Sequence, residues 1–414
     1  MTATPQKFFG WRVVGAAFVV AVFGWGVSFY GPPVFLYALH ASRGWPVALV
    51  SAAITAHFLL GAVFVARLAA IHRRFGLART TAAAGLATGL GFLGWALAEQ
   101  PWQLFAAAPL TGFGWAGTGG AALSAMVAPW FVRRRPAALS MAFNGASMGG
   151  VLMAPLWVVL INRFGLVPAM LLVSGLMVLA LGWLAVRVLA HSPASLGQAP
   201  DGEPLPASPA PAAAPSLPGA LMWRDRRFLT LAAAMALSLF AQIGLIAHLF
   251  SLLVPALGAG TAGLAMGVAT ALAIAGRTAL GWMLPPGASR RPVAAANHAM
   301  QATGSVLLLL AGGQDVPLLL AGVALFGLGI GNSTSLPPLM AQQDFSPADT
   351  ARAVALITAC SQAAYAFAPA SFGLLRELTP GADGAAPWLF GAAALAQLLA
   401  GGMLLLAASD RLRR

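Results

Sequence analysis

Twelve apolar runs, each long enough to cross a bilayer, divide this chain, and they limit what it can fold into more than any other feature. A run of about twenty apolar residues spans hydrocarbon as an α-helix, because lipid offers no partner to an open backbone group. The runs are Trp11–Leu39, Val47–Ala70, Ala78–Ala98, Gln103–Val132, Pro136–Ile161 and Val167–Leu189 in the first half. Phe228–Leu257, Thr261–Leu284, Val293–Gly312, Val316–Ala341, Ala353–Leu375 and Pro387–Ala408 follow in the second. They are long and continuous rather than short and alternating, which argues against an outer-membrane barrel. Of the 414 residues, 59% are hydrophobic and 8% charged, so no soluble core could hide the apolar surface. The expectation is an all-α membrane protein: twelve transmembrane helices in two six-helix halves, residues 1–190 and 223–414.

Between the halves, residues 191–222 hold eight prolines among alanine and serine. That composition cannot build a core and reads as a disordered or extended cytoplasmic linker. The net charge of +13 does not point to nucleic acid, because the arginines collect in alternate loops, as topology requires. The basic set holds the Arg73, Arg133 to Arg135, Arg226 and Arg290 loops; the opposite set holds only Arg43, Arg163 and Arg376. Both termini and the linker are therefore expected in the cytoplasm. Cys360 is the sole cysteine, which leaves no intrachain disulfide or cysteine cluster. The run after Lys7 is too long for a signal peptide and is expected to remain as the first span.

The halves echo each other. Gly145 to Pro155 in span five recurs in outline as Ala359 to Pro369 in span eleven, with the same spacing to proline. Gly112 to Gly120 in span four has a glycine-rich counterpart at Gly327 to Gly331 in span ten. Small residues at such spacing permit close helix approach, and a proline permits a bend.

Arg277 is the only charged side chain in the run Thr261–Leu284. A guanidinium in hydrocarbon costs at least about 2.5 kcal/mol. All ten acidic residues fall in loops, in the linker or at span ends, so no mid-membrane carboxylate serves as a proton carrier. A substrate carboxylate, held by two parallel hydrogen bonds, is the partner a guanidinium suits best. Arg277 also lies about seven residues, roughly 10 Å, from the expected cytoplasmic end, within reach of the interface by snorkelling.

Six plus six spans, a long central loop and basic 2–3 and 8–9 loops resemble the major facilitator superfamily over the whole chain. Arg74-Phe75-Gly76-Leu77-Ala78-Arg79 resembles the end of its 2–3 loop signature, without the acidic residue. Within the superfamily the likeness is to monocarboxylate porters and oxalate–formate exchangers. Trp130-Phe131-Val132-Arg133-Arg134-Arg135-Pro136, running on to Gly145 and Gly149, is similar to their aromatic and basic lead-in to span five, and Gly10-Trp11 to their N-terminal motif. Arg277 to Gly281 is similar to their Arg-x-x-x-Gly, whose arginine meets the substrate carboxylate. Ala273 stands where the animal carriers have an aspartate, and Tyr30 near their span-one lysine.

The resemblance implies a secondary transporter of a small organic anion, a monocarboxylate by preference, working by alternating access. It implies a monomer in a bacterial inner membrane, without cofactor, metal or nucleic-acid partner. The candidate substrate residues are Arg277, Tyr30, Asn144, His248, Asn332, Gln362 and Tyr365, with Gln242 and Gln301 as further polar groups. His57 and His248 are the coupling candidates, and His298 is expected at the interface. Gating and packing are assigned to Arg74, Gly76, Arg79, Arg133, Arg134, Arg135, Gly145, Gly149, Pro155 and Pro369. For each polar residue, ordinary interhelical hydrogen bonding is the plainer role. A facilitator-type exporter of hydrophobic drugs or metabolites is the alternative. Copper uptake is weaker, because the fourteen methionines are scattered. A non-transporting receptor ranks below these, and no nucleophile–base pair points to an enzyme.

Overall fold

The structure is a computed structural model that describes residues 8–202, 219–284, 288–378 and 384–408. Part of the expected linker, residues 203–218, and both chain ends lie outside the described residues. The helices are α1 (Gly10–Ser28), α2 (Gly31–Arg43), α3 (Val47–Phe75), α4 (Leu77–Leu97), α5 (Trp102–Thr118), α6 (Gly120–Val127), α7 (Arg135–Phe164) and α8 (Leu166–Leu184). The short α9 (Gly219–Met222) precedes α10 (Arg226–Met283), α11 (Arg290–Leu310), α12 (Val316–Asp344), α13 (Pro347–Ala366), α14 (Ala368–Glu377) and α15 (Pro387–Ala408). Among the described residues, ten helical stretches are long and apolar enough to cross a membrane.

Proline and glycine account for the difference between ten stretches and twelve expected spans. The expected spans seven and eight fall within the 58-residue α10, which turns at Gly258 with φ +71° shortly after Pro255. Only glycine takes that backbone region without strain. Span four is divided at Gly119 into α5 and α6, of 17 and 8 residues. Span one breaks at Phe29 and Tyr30, just before Gly31-Pro32-Pro33, since the two prolines lack an N–H and their rings crowd the carbonyls four residues earlier, at Ser28 and Phe29. Span eleven breaks at Phe367, two residues before Pro369, whereas α7 runs unbroken through Pro155. The two proline motifs that match in sequence therefore do not interrupt their helices alike.

The chain forms two compact units. One holds the residues up to Pro32 and those from Ala56 into the linker; the other holds Pro33–Thr55 and everything after the linker. In the first unit, α1 and α7 approach through glycine. A Cβ at Gly149 would fall 2.6 Å from the Val22 carbonyl oxygen, and one at Gly145 would overlap that of Phe18. The indole of Trp157 donates to the Gly26 carbonyl at 3.0 Å on the same seam. Gly145 and Gly149 are thus packing residues. Gly76, with φ +82°, forms the turn from α3 to α4, while Arg74 and Arg79 beside it are exposed.

The second unit takes in α2 from Pro33 onward and the start of α3. Thr55 Oγ1 accepts from the Ala370 N–H at 3.0 Å, and Glu377 Oε1 accepts from the Ala48 N–H at 2.9 Å. Glu377 therefore caps α3, and Tyr37 meets Phe250 edge-on with ring centroids 5.5 Å apart. Other acidic residues also serve helix ends. Asp225 accepts from Arg227 N–H, Asp315 from Leu318 N–H, and Asp349 from the Ser346 hydroxyl. Carboxylates suit helix starts, where backbone donors are free and the dipole is positive.

The linker does not begin as an extended chain. Residues 191–202 fold back on the first unit, and the Asp201 carboxylate accepts backbone N–H groups from Val132 (3.1 Å), Arg133 (2.8 Å) and Arg134 (3.2 Å). Three orphan donors ahead of α7 outweigh the entropy of a proline-rich segment, which composition alone does not reveal. Burial works to raise the Asp201 pKa, but these N–H groups and the Arg133 charge hold it below the usual carboxylate range. The clamp's contribution is therefore full above the ordinary carboxylate pKa and is lost as pH falls through the lowered value. Asp201→Ala is expected to cost about 1 kcal/mol, and so to speed proteolytic nicking of residues 191–202 at neutral pH about fivefold. Gel-resolved cleavage kinetics would show it; equal rates in the two proteins would remove the clamp.

Candidate functional site

The second unit has a polar interior that its hydropathy does not advertise. From α10, Ser238 and Gln242 point inward; α11 supplies Asn297, His298, Gln301 and Ser305, α12 supplies Asn332 and Ser333, and α15 supplies Gln397, all buried. Gln301 Nε2 donates to Gln242 Oε1 at 3.4 Å, and Ser333 Oγ donates to Gln301 Oε1 at 3.2 Å. Ser305 Oγ donates to Gln397 Oε1 at 2.9 Å. Asn332 Nδ2 donates to Asn297 Oδ1 at 3.0 Å, and Asn297 Nδ2 to the Gly329 carbonyl at 3.2 Å. Buried polar groups in hydrocarbon must find partners, and here four helices supply them to one another.

His298 belongs to this network. Expected at the interface, it is 5% exposed, with Nδ1 3.4 Å from Ser238 Oγ and 3.5 Å from Gln301 Oε1. Hydropathy places a residue along a helix, whereas its rotation about the axis is set by packing. Ser238, Asn297, Ser333, Ser305 and Gln397 were not singled out in the sequence. Gln397 left a usable signal, as the one strongly polar side chain in the run Pro387–Ala408.

Arg277 is half-buried and lies against α12: a Cβ at Gly331 would come within 3.0 Å of its Nε. The approach is possible because Gly276, Gly327 and Gly331 bring the two helices together. A Cβ at Gly327 would stand 2.8 Å from the Ala269 carbonyl oxygen. The guanidinium thus starts beside the residue that precedes Asn332. His248 is fully buried at another place. Its Nε2 donates to the Pro369 carbonyl at 3.0 Å, which ties α10 to α14. Gln362 is half-buried and Tyr365 buried, one turn apart on α13.

In the first unit, Tyr30 is buried at the break between α1 and α2, and Asn144 is exposed on α7. His57 is fully buried, its ring centroid 4.8 Å from that of Phe58 and 5.7 Å from that of Phe92. Around them runs an aromatic cluster. Trp25 meets Trp115 at 5.0 Å, Phe29 stacks on Trp115 at 6.1 Å, and Phe143 meets Trp25 at 6.1 Å. The exposed side chains of Arg133 and Arg134 flank the Asp201 clamp, while Arg135 Nε donates to the Phe131 carbonyl at 2.9 Å.

A second cluster closes the arginine-rich end of the second unit. Arg291 is buried, with Nε 3.0 Å and Nη2 2.8 Å from Asp344 Oδ2, Nη1 3.2 Å from Thr230 Oγ1 and Nη2 2.9 Å from the Arg227 carbonyl. Read as loop charges, Arg291 and Asp344 are in fact a buried pair joining α10, α11 and α12.

The described residues thus combine bilayer-length helices, glycine seams and a buried polar network. The family profile described as Major Facilitator Superfamily matches residues 11–369, and the chain belongs to that family. Two solved structures superpose over nearly its full length. The nucleoside transporter NupG is 13% identical with a TM-score of 0.71, covering 95% of this chain and 99% of its own. A bacterial homologue of the human lysosomal transporter Spinster, in an inward-facing and occupied conformation, is 13% identical with a TM-score of 0.73, covering 98% of each. At that identity the likeness is one of fold. Comparison with curated protein sequences gave no match.

Proposed function

We propose that the protein is a secondary active transporter of a small organic anion, a monocarboxylate by preference. It would work as a monomer by alternating access in a bacterial inner membrane, with twelve crossings and both termini cytoplasmic. The single observation that carries the reading is the guanidinium of Arg277, turned against α12 at Gly331 in a run with no other charge. A carboxylate takes two parallel hydrogen bonds from such a group, and low surrounding polarity strengthens them. Asn332, Gln362 and Tyr365 in the same unit are the polar groups proposed to select among anions. The glycine seams α1–α7 and α10–α12, and Pro155 and Pro369, belong to the packing that such a cycle must keep.

The test is uptake by proteoliposomes holding the purified protein, with radiolabelled lactate, pyruvate and formate as probes. Arg277→Ala is expected to lower uptake about 10- to 100-fold, the worth of a hydrogen-bonded charge pair of roughly 1.5–3 kcal/mol. Arg277→Lys keeps the charge without the fork and is expected in between. Undiminished uptake in Arg277→Ala would end the assignment.

The aromatic cluster of Trp25, Phe29, Trp115 and Phe143 favours a second reading, a facilitator-type exporter of hydrophobic, ring-bearing compounds. Flat ligands stack on such rings. That reading expects neutral or cationic substrates and indifference to Arg277→Ala, so the same assay with a lipophilic cation separates the two.

A further inference from the structure

The hydrogen-bond directions around Asn332 leave one acceptor over. The Gly329 carbonyl can only accept, so Asn297 must turn its NH2 group to it. Asn297 Oδ1 then faces Asn332, which must answer with its own NH2 group. Neither amide can be flipped without setting two acceptors against each other. Asn332 Oδ1 is therefore an acceptor by necessity, and it is buried without a donor. It lines a small cavity shared with Asn297, His298 and Ser333 and walled by Met235 and Leu336. The free space, about 10 Å³, is of the size that a single water molecule needs.

His298 completes the pattern. With Gln301 Nε2 donating to Gln242 and its Oε1 accepting from Ser333, the tautomer that suits this placement puts the ring hydrogen on His298 Nδ1, 3.5 Å from that Oε1. The lone pair is left on Nε2. His298 and Asn332 thus line one water-sized space.

We propose that this cavity is a proton-binding site, in which a proton from water is taken up on Nε2 of His298 and the new N–H is held by Asn332 Oδ1 through a single water. One N–H bond forms, hydronium returns to water, and no other bond changes. A hard metal cation does not fit, because one free oxygen is far from the six or more that such ions require. The charge census favours a proton as well. Of the charged groups on the helices packed around His298, Arg226, Arg227 and Arg277 lie on α10, Arg290 and Arg291 on α11, and Asp344 on α12, with none among the described residues of α15. Only the Arg291–Asp344 pair shares the His298 face of α11, two turns or about 10 Å away, and it is neutral as a pair. The other buried histidine of this unit, His248, lies about ten residues along α10 from Ser238, committed to Pro369.

The two coupling candidates chosen from the sequence sit in other surroundings. His57 is packed among rings, and His248 has spent one nitrogen on a carbonyl. The use of the His298 proton as the coupling ion rests on the transport reading; its binding does not. The test is nitrogen-15 spectroscopy of histidine-labelled, purified full-length protein from about pH 8 to about pH 5, the range where histidine changes charge. His298→Gln assigns the signal. Nε2 is expected to pass from bare to protonated across that range, and Asn332→Leu is expected to weaken proton binding about tenfold, the worth of one hydrogen bond to a charge. A His298 signal that stays in one protonation state overturns the proposal. An unchanged titration in both Asn332→Leu and Asn332→Ser overturns it too, leaving an ordinary buried water. In proteoliposomes, His298→Gln is expected to abolish lactate uptake driven by an acid exterior while sparing lactate exchange. Lactate that is not carried at all would count against the anion reading alone, because the histidine titration needs no substrate.

Discussion

Arg291→Leu is expected to destabilise the second unit by about 3–5 kcal/mol, the cost of leaving one partner of a buried ion pair uncompensated. Asp344 would keep its charge at 9% exposure, and Thr230 Oγ1 and the Arg227 carbonyl would lose their donor. In detergent the thermal midpoint, read by fluorescence-detected size exclusion, should fall by about 10 °C. The informative companion is Arg291→Leu/Asp344→Leu. It removes both charges, so it should recover more than half of the loss, because a well-packed apolar pair often replaces a buried ion pair at little cost. If single and double variants melt together, the burial account of this pair is wrong.

Gly145→Ala is the second large effect. The new methyl would overlap the Phe18 carbonyl oxygen and stand 2.9 Å from the Ala21 Cβ. Both neighbours sit on the α1 backbone or next to it, so no side chain can swing away. The helices must part, and the Trp157–Gly26 hydrogen bond lies on the seam they would open. Overpacking of this kind costs about 3 kcal/mol, against a gain of under about 1 kcal/mol in helix propensity. Gly15→Ala, also on α1 but with nothing within 4 Å of its Cβ, receives the propensity gain without the clash. The two alanine variants should therefore shift the melting midpoint in opposite directions. A Gly145→Ala protein as stable as Gly15→Ala would show that the seam is loose.

Much of the architecture was legible because the bilayer leaves so few solutions. Run length and the demand for internal backbone hydrogen bonds were enough to place α3, α4, α7, α8, α11, α12 and α15 within a few residues. Pro369 marked where span eleven breaks, whereas the break in span one at Phe29 and Tyr30 was not read from the sequence. At Pro155 α7 continues unbroken, because neighbouring helices can absorb the missing bond. The linker was misjudged in its first residues: prolines set its composition, but a single carboxylate at Asp201 fixes its fold.

For the candidate site, the chemistry of residues was readable and their company was not. Arg277, Asn332, Gln242 and Gln301 stand out in apolar runs. Whether His298 meets the interface or a glutamine depends on the rotation of α11 about its axis, which an almost uniformly apolar sequence leaves open. Likewise Arg291 and Asp344, 53 residues apart, look like two unrelated charges at span ends until α11 and α12 are packed side by side.

The sequence by itself determined a membrane-spanning helical chain and the lone guanidinium in the run Thr261–Leu284, because hydrophobic transfer energy is additive along a chain. Only the tertiary structure decided what that guanidinium lies against, which carboxylates are taken as helix caps, and that Asn332 and His298 share a water-sized cavity. Those depend on directional hydrogen bonds between helices distant in the chain, and a one-dimensional pattern carries no record of direction.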